Sequence, residues 1–299
     1  MTKKLFITTI FTAAAFLLLI PIIIFFARAP VLIIAEQSFI MLYGQERHKK
    51  AAFNSSLKLF RQVKTVEIAN DAGDDIVRFA IQDVSENPYC VIFPNRFVHS
   101  AVFYHEQNPE IPVLLLEGRN PQDSNLPAIL QNGRFFIYKT DINGDFYKAG
   151  LAAASLSEKS KNIVVFIDII QDSIIGFQAR EAFFLGINEY FLFEEQPQVH
   201  FFYSFSDLLE NIEISCVLMT GAGSEYFETN TGSPVILFSW LDPLLAPSAT
   251  AIIIDDSPWA QAAAAVKMAE KAKEGIIKSN FIILNKKIFN KELYKKLIN

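Results

Sequence analysis

The residues best placed to do chemistry in this chain sit at the ends of apolar, β-branched runs, and their types suit holding a small molecule. Ser38 and Phe39 follow the run at residues 31–34, Asn95 follows the one at 89–93, Gly221 and Gly223 follow 215–219, and Ser239, Trp240 and Asp242 follow 234–238. Hydroxyl, amide and carboxylate groups supply hydrogen bonds, rings supply flat contact area, and glycines let backbone approach a ligand closely. The wider set of strand-end segments is 36–39, 94–95, 117–119, 141–143, 168–172, 220–224, 239–242 and 255–257. No serine elbow, Cys/His pairing or metal-ligand spacing accompanies them, so neither catalysis, a metal nor a cofactor is expected. The glycines near 221 lack the Lys-Ser/Thr ending of a phosphate-binding loop, and Asp255 and Asp256 read as caps of the helix that follows them.

The elements that must position these groups alternate along the chain. Strands are expected at 31–34, 65–68, 89–93, 113–116, 135–138, 163–167, 200–203, 215–219, 234–238 and 251–254. Helices fall between them at 47–60, 75–84, 96–105, 146–156, 175–190 and 207–211, and a last long one runs over 257–277. Strands separated by helices need crossover connections, so the sheets should be parallel and covered on both faces. A turn-rich stretch between Gly118 and Gly133 breaks the rhythm and reads as a crossing between two lobes, the first at about 30–118 with part of the C-terminal region, the second at about 135–240. The expected fold is therefore α/β, with two Rossmann-like lobes, parallel sheets and a hinge. Ligands of such sheets bind beyond the carboxyl ends of the strands, and two facing sheets make a cleft that a hinge can close.

The start of the chain has a different character. Residues 5–27 carry no charge and follow Lys3 and Lys4, a length that fits the roughly 20 residues needed to cross a bilayer and exceeds the usual apolar region of a cleavable signal. Residues 1–29 thus read as a signal-anchor or transmembrane helix, with the lysines inside and residues 30–299 on the periplasmic or extracellular side. Ala27-Arg28-Ala29 offers a small-x-small cleavage site, but Pro30 behind it favours retention. A net charge of −5 and a pI near 5.5 provide no broad basic surface for nucleic acid. Cys90 and Cys216 lie inside apparent strands and read as buried thiols, and His48, His99, His105 and His200 are scattered. The lysines from 286 to 296 read as a solvated surface.

Several stretches carry a family resemblance. Phe146-Tyr147-Lys148-Ala149-Gly150-Leu151-Ala152-Ala153-Ala154, the run 162–166, Gly176-Phe177-Gln178-Ala179-Arg180-Glu181-Ala182-Phe183 and the glycine-rich 221–228 together resemble the basic membrane protein family, and Ser38-Phe39 is similar to part of its first-strand motif. Those are nucleoside-binding receptors of type I periplasmic-binding-protein fold that serve ABC importers. The resemblance implies an aromatic sandwich from Phe39, Phe177 and Trp240. It also marks departures: Ile40 stands where an asparagine is expected, Ser239 for an aspartate and Ile254 for a lysine. Each ligand group left without its partner costs about 1–3 kcal/mol, so either the ligand has changed or binding has weakened.

Two functions follow as expectations. The first is a membrane-anchored, non-catalytic solute-binding protein for a nucleoside or related ring-containing molecule, working with ABC importer subunits. The second is a receptor fold that has lost its ligand and serves as a protein-interaction or assembly module.

Overall fold

The computed structural model describes residues 19–118, 133–157, 161–167, 169–192, 195–208, 212–220, 232–238, 249–273, 275–284 and 289–298. Its strands form two sheets of six. In the first, β1 (Val31–Glu36) and β2 (Val63–Ile68) stand beside β3 (Cys90–Pro94), β4 (Val113–Gly118), β5 (Phe135–Thr140) and β11 (Gly275–Ile277), in the order β11-β5-β4-β3-β1-β2. The second joins β6 (Asn162–Phe166), β7 (Val199–Phe202), β8 (Ile214–Met219), β9 (Val235–Phe238), β10 (Thr250–Asp255) and β12 (Asn280–Ile283), in the order β12-β10-β9-β8-β6-β7. Every pairing is parallel except that of β10 with β12.

Continuous apolar runs become strands here because both faces of each sheet are covered. Along β1 the side chains alternate: Val31, Ile33 and Ala35 pack with Tyr43, Ala52, Trp259 and Val266, while Leu32 and Ile34 pack with Val77, Ile81 and Ala101. In the second lobe Ile163 and Val165 face the helices Ile142–Leu156, Ile169–Phe191 and Lys291–Ile298, and Val164 and Phe166 join Val217, Met219 and Leu237 on the other side. Both cysteines are buried, and burial raises the Cys216 thiol to about 12, which makes it inert.

The sequence reading needs two corrections. First, Phe135–Thr140 pairs with β4, so the chain passes to the second sheet after Thr140 and not between residues 118 and 133. Second, the last long helix spans only Pro258–Ala269; Ala272 takes a left-handed backbone, and β11 returns to the first sheet before β12 re-enters the second. Alanine-rich periodicity hid that break, since the residues after 269 remain good helix formers. The expected helix at 207–211 lies mostly outside the described residues, which hold a 3-10 turn at Phe205–Asp207. The lysines of the tail, Lys291, Lys295 and Lys296, are exposed as expected, on a helix, Lys291–Ile298, whose Leu293 and Leu297 enter the second core.

The apolar N-terminal span is described only from residue 19, where residues 19–27 are helical and largely exposed. No helix among the described residues is long and apolar enough to cross a membrane.

In the second lobe the helices Ile142–Leu156 and Ile169–Phe191 cross at two glycines. A Cβ on Gly150 would be driven into the Phe183 carbonyl, and one on Gly186 into the Tyr147 carbonyl. Backbone cannot step aside as a flexible side chain can. Gly150→Ala is therefore expected to lower the unfolding free energy by about 1–3 kcal/mol, read from urea unfolding, with Ala149→Gly as a control that opens no clash.

Candidate functional site

The carboxyl ends of the two sheets meet through buried polar contacts. At the end of β10, Asp255 accepts a hydrogen bond from the Tyr43 hydroxyl at 2.7 Å, and Tyr43 belongs to the short helix Gln37–Tyr43 that follows β1. The Arg47 guanidinium lies 3.9 Å from the same carboxylate and over the Tyr43 ring. At the end of β5, Thr140 accepts from the Gln261 side chain at 3.1 Å, and the Asp141 amide donates to the Ile277 carbonyl at 3.0 Å. Ser279, between β11 and β12, donates to Asp145 at 2.6 Å. All three passages between the sheets are thus tied at this one edge.

Desolvation raises the Asp255 carboxyl above its ordinary value, while Arg47 and the hydrogen bonds from Tyr43 and Ser257 pull it back down. Burial, and then the Asp255 charge, hold the Tyr43 phenol protonated far above its usual range. The helix cap expected from Asp255 and Asp256 is supplied by Ser257, whose hydroxyl accepts from the Ala260 amide; Asp255 instead accepts from the Ser257 amide.

On the first lobe the candidate edge is built past β1, β2 and β3. Glu36, nearly buried, pairs with Arg96 at 2.9 Å, and Arg96 also reaches Asp71 at 3.2 Å. Arg96 and Asp71 are 62% and 87% exposed at their side chains, so this ionic line opens to solvent. Asn95 precedes Arg96 in a 3-10 turn, Asn95–Phe97. The Ser38 amide donates to the Asn70 side chain at 3.3 Å. The half-buried ring of the next residue, Phe39, stacks on Trp259, centroids 5.6 Å apart and planes 12° from parallel. Trp259 is wholly buried; its indole N–H donates to Thr65 and its carbonyl accepts from Ser55.

Ser38, Phe39 and Asn95 therefore fall on one edge, as the strand-end rule expects. Phe177 stands on the outer side of the Ile169–Phe191 helix, 74% exposed, and the ring that Phe39 stacks on is Trp259. Gly221, Gly223, Ser239, Trp240 and Asp242 lie outside the described residues. The approach to the glycine-rich loop is fixed nonetheless, since Thr220 donates to the Phe166 carbonyl through both its amide and its hydroxyl. Ile40 and Ile254 are buried in the two cores.

Sequence reasoning passed over Asn70, Asp71 and Arg96. The rule that selected residues past β1 would have selected Asn70 and Asp71 past β2. A cavity of about 240 Å³ lies elsewhere, at the amino ends of β3 to β5, lined by Tyr89, Cys90, Leu114, Phe136, Val266 and Glu270 among others.

Among solved structures, the chain is similar to a transcriptional activator of the comK gene from Bacillus halodurans, with 14% identity over 90% of this chain and 95% of that one and a TM-score of 0.60. An ABC transporter solute-binding protein from Conexibacter woesei gives 11% identity, 87% and 92% coverage and a TM-score of 0.60. A periplasmic solute-binding protein from Actinobacillus succinogenes, solved with bound D-allose, gives 13% identity, 87% and 99% coverage and a TM-score of 0.50. The fold is that of the type I periplasmic binding proteins. No protein-family model matches the chain, and no curated protein matches it. These neighbours are binding proteins and a regulator, not enzymes.

The buried Asp255 gives the site a signature in pH. Its folded value lies above the ordinary 3.8, so between those two values the native state holds a proton that the unfolded chain has lost. Stability from this group is full below the ordinary value and falls as pH rises towards the folded one. Asp255→Asn should flatten that fall in urea-unfolding free energies measured from about pH 4 to 7. Tyr43→Phe, which removes a donor from a buried carboxylate, should cost about 1.5–3 kcal/mol at neutral pH.

Proposed function

We propose that this chain is a membrane-tethered, extracytoplasmic solute-binding protein whose lobes close over a small, ring-containing, polyhydroxylated molecule, a nucleoside or a sugar. The observation that carries the reading is the strand-end edge past β1, β2 and β3 that holds Phe39, Asn70, Asp71 and Arg96, where the carboxyl ends of the two sheets meet. Guanidinium, carboxylate and amide groups suit vicinal hydroxyls, and an aromatic face suits a base or a sugar ring. The exposed apolar helix at residues 19–27 supports the tether, and the fold supports partnership with ABC importer subunits. The motifs around residues 146–183 and 221–228 support descent from the basic membrane protein receptors, with the losses at Ile40 and Ile254 turning the ligand away from the family's usual one.

One observation favours the second reading, a receptor fold turned interaction module. Arg96 is already engaged by Glu36 and Asp71, and one face of Phe39 is already covered by Trp259, so the first lobe's edge is satisfied without a guest.

Thermal unfolding against a panel of nucleosides, pentoses and hexoses separates the two. A ligand at one hundred times its dissociation constant adds about 2.7 kcal/mol to stability, which is a plain rise in melting temperature. Arg96→Lys keeps the charge that balances Glu36 but loses the planar fork, so it should abolish the ligand-induced rise and leave the unliganded melting temperature nearly unchanged. A panel without any rise would sink the receptor reading and leave the module.

A further inference from the structure

A second surface lies at the opposite end of the first lobe. The helix Gln45–Leu59 buries His48, Ala52, Ser55 and Ser56, and turns Lys50, Phe53 and Leu57 outward at helical spacing. Phe53 and Leu57 are 60% and 58% exposed, an unusual pair to leave in water side by side. Phe60 continues them. Its backbone is left-handed, with φ at 51°, and its ring meets Phe25 of the apolar N-terminal helix edge-on at 5.9 Å.

The charges here differ in sign from those of the whole chain. Arg28 lies over the Phe60 ring at 5.4 Å, and Arg61 donates to the Ala29 carbonyl. Lys50 and Lys58 are exposed nearby, while Glu46, on the same helix, is matched by Lys49 at 3.3 Å. Yet the net charge of the protein is −5. Exposed acids at this end include Glu86 and Glu110, which precede β3 and β4, and Glu270, which accepts from the Tyr89 hydroxyl beside Arg61; all three lie beyond β1, on the side of the sheet away from the β2 edge.

We propose that the outer face of the Gln45–Leu59 helix, with Phe53, Leu57 and Phe60 at its centre and Arg28, Lys50 and Lys58 around it, rests on an anionic lipid surface. Apolar side chains ringed by lysine and arginine match the acyl boundary and headgroups of such a surface. The face is also continuous, through the Phe25–Phe60 contact, with the exposed apolar helix at residues 19–27. The inference rests on the membrane tether proposed above, and it adds that the lobe lies down on the bilayer beside its point of entry.

The test uses the full chain with an environment-sensitive fluorophore at Phe53→Cys or, as a control on the opposite face of the sheet, at Phe79→Cys; the native cysteines are buried. Each is reconstituted into vesicles of phosphatidylcholine alone or with about 30% phosphatidylglycerol, carrying a lipid-borne quencher. Flotation reads the tether, and quenching reads the face. The expected result is a floating chain quenched at least about three-fold more at residue 53 than at residue 79, with the difference reduced in neutral vesicles and by Lys50→Gln with Lys58→Gln. A chain that floats with equal quenching at both positions overturns the proposal and keeps the tether. One that does not float overturns both. Shielding of residue 53 before vesicles are added assigns the face to a second copy and also overturns the proposal.

Discussion

The architecture depends on keeping the polar groups of its crossings buried and paired. Three times the chain leaves one sheet for the other, and each passage brings hydrogen-bonding groups out of water: Thr140 with Gln261, Asp255 with Tyr43, Asp145 with Ser279. A buried polar group without a partner costs about 1–3 kcal/mol, so these pairs fix which segments lie side by side. Asp255, like Asp145, is more exacting than Thr140 because it carries a buried carboxylate. Tyr43 and the Ser257 amide each donate to it, and Arg47 stands near, which ties the first lobe's helices to the last strand of the second. Remove that tie and the two recognition edges lose their common frame.

The same constraint governs what the cleft can do. On the proposed reading, closure is a rotation about these three tied crossings that spares their hydrogen bonds, the geometry of a hinge. On the first lobe's side nothing needs to be rebuilt on closure, because Trp259 locks the floor: its ring is buried, its N–H is satisfied by Thr65, and Phe39, Tyr43 and His48 pack around it. Phe39 is therefore held in orientation before any guest arrives. Preorganisation of this kind lowers the entropy that binding must overcome.

Much of the fold was legible in the sequence because its strongest signals are physical ones. Runs such as Val31-Leu32-Ile33-Ile34 can be buried on both faces only within a parallel sheet, and the helical spacing between runs dictated crossovers. What escaped was information carried by contacts distant in sequence. Phe135–Thr140 looks the same whichever sheet it joins, and its pairing with β4 decided where the crossing falls. The alanine-rich segment from 258 onward has no internal mark of where helix gives way to β11. For the site, attention settled on Trp240 because of its place after a strand, whereas Trp259, directly behind Ser257-Pro258 at a helix start, is the ring that organises the edge. Arg96 was missed because a surface arginine has no distinguishing sequence context, and only the approach of the nearly buried Glu36 gives it a role.

The two ends of the first sheet make a polarity that connects tether to cleft. Strand β1 begins at Val31, three residues after Arg28, and ends at Glu36, where the ionic line to Arg96 starts. At about 3.3 Å per residue that strand spans roughly 17 Å, so on the proposed reading the ionic line at its carboxyl end lies about that far along the sheet from the tether's point of entry. Because every strand of this sheet is parallel, all their carboxyl ends lie at the far side and all their amino ends at the near side. A tether entering at the amino end can therefore neither cover the cleft nor compete with a solute for it. Placed after β1, the same apolar segment would have blocked the edge it is meant to present.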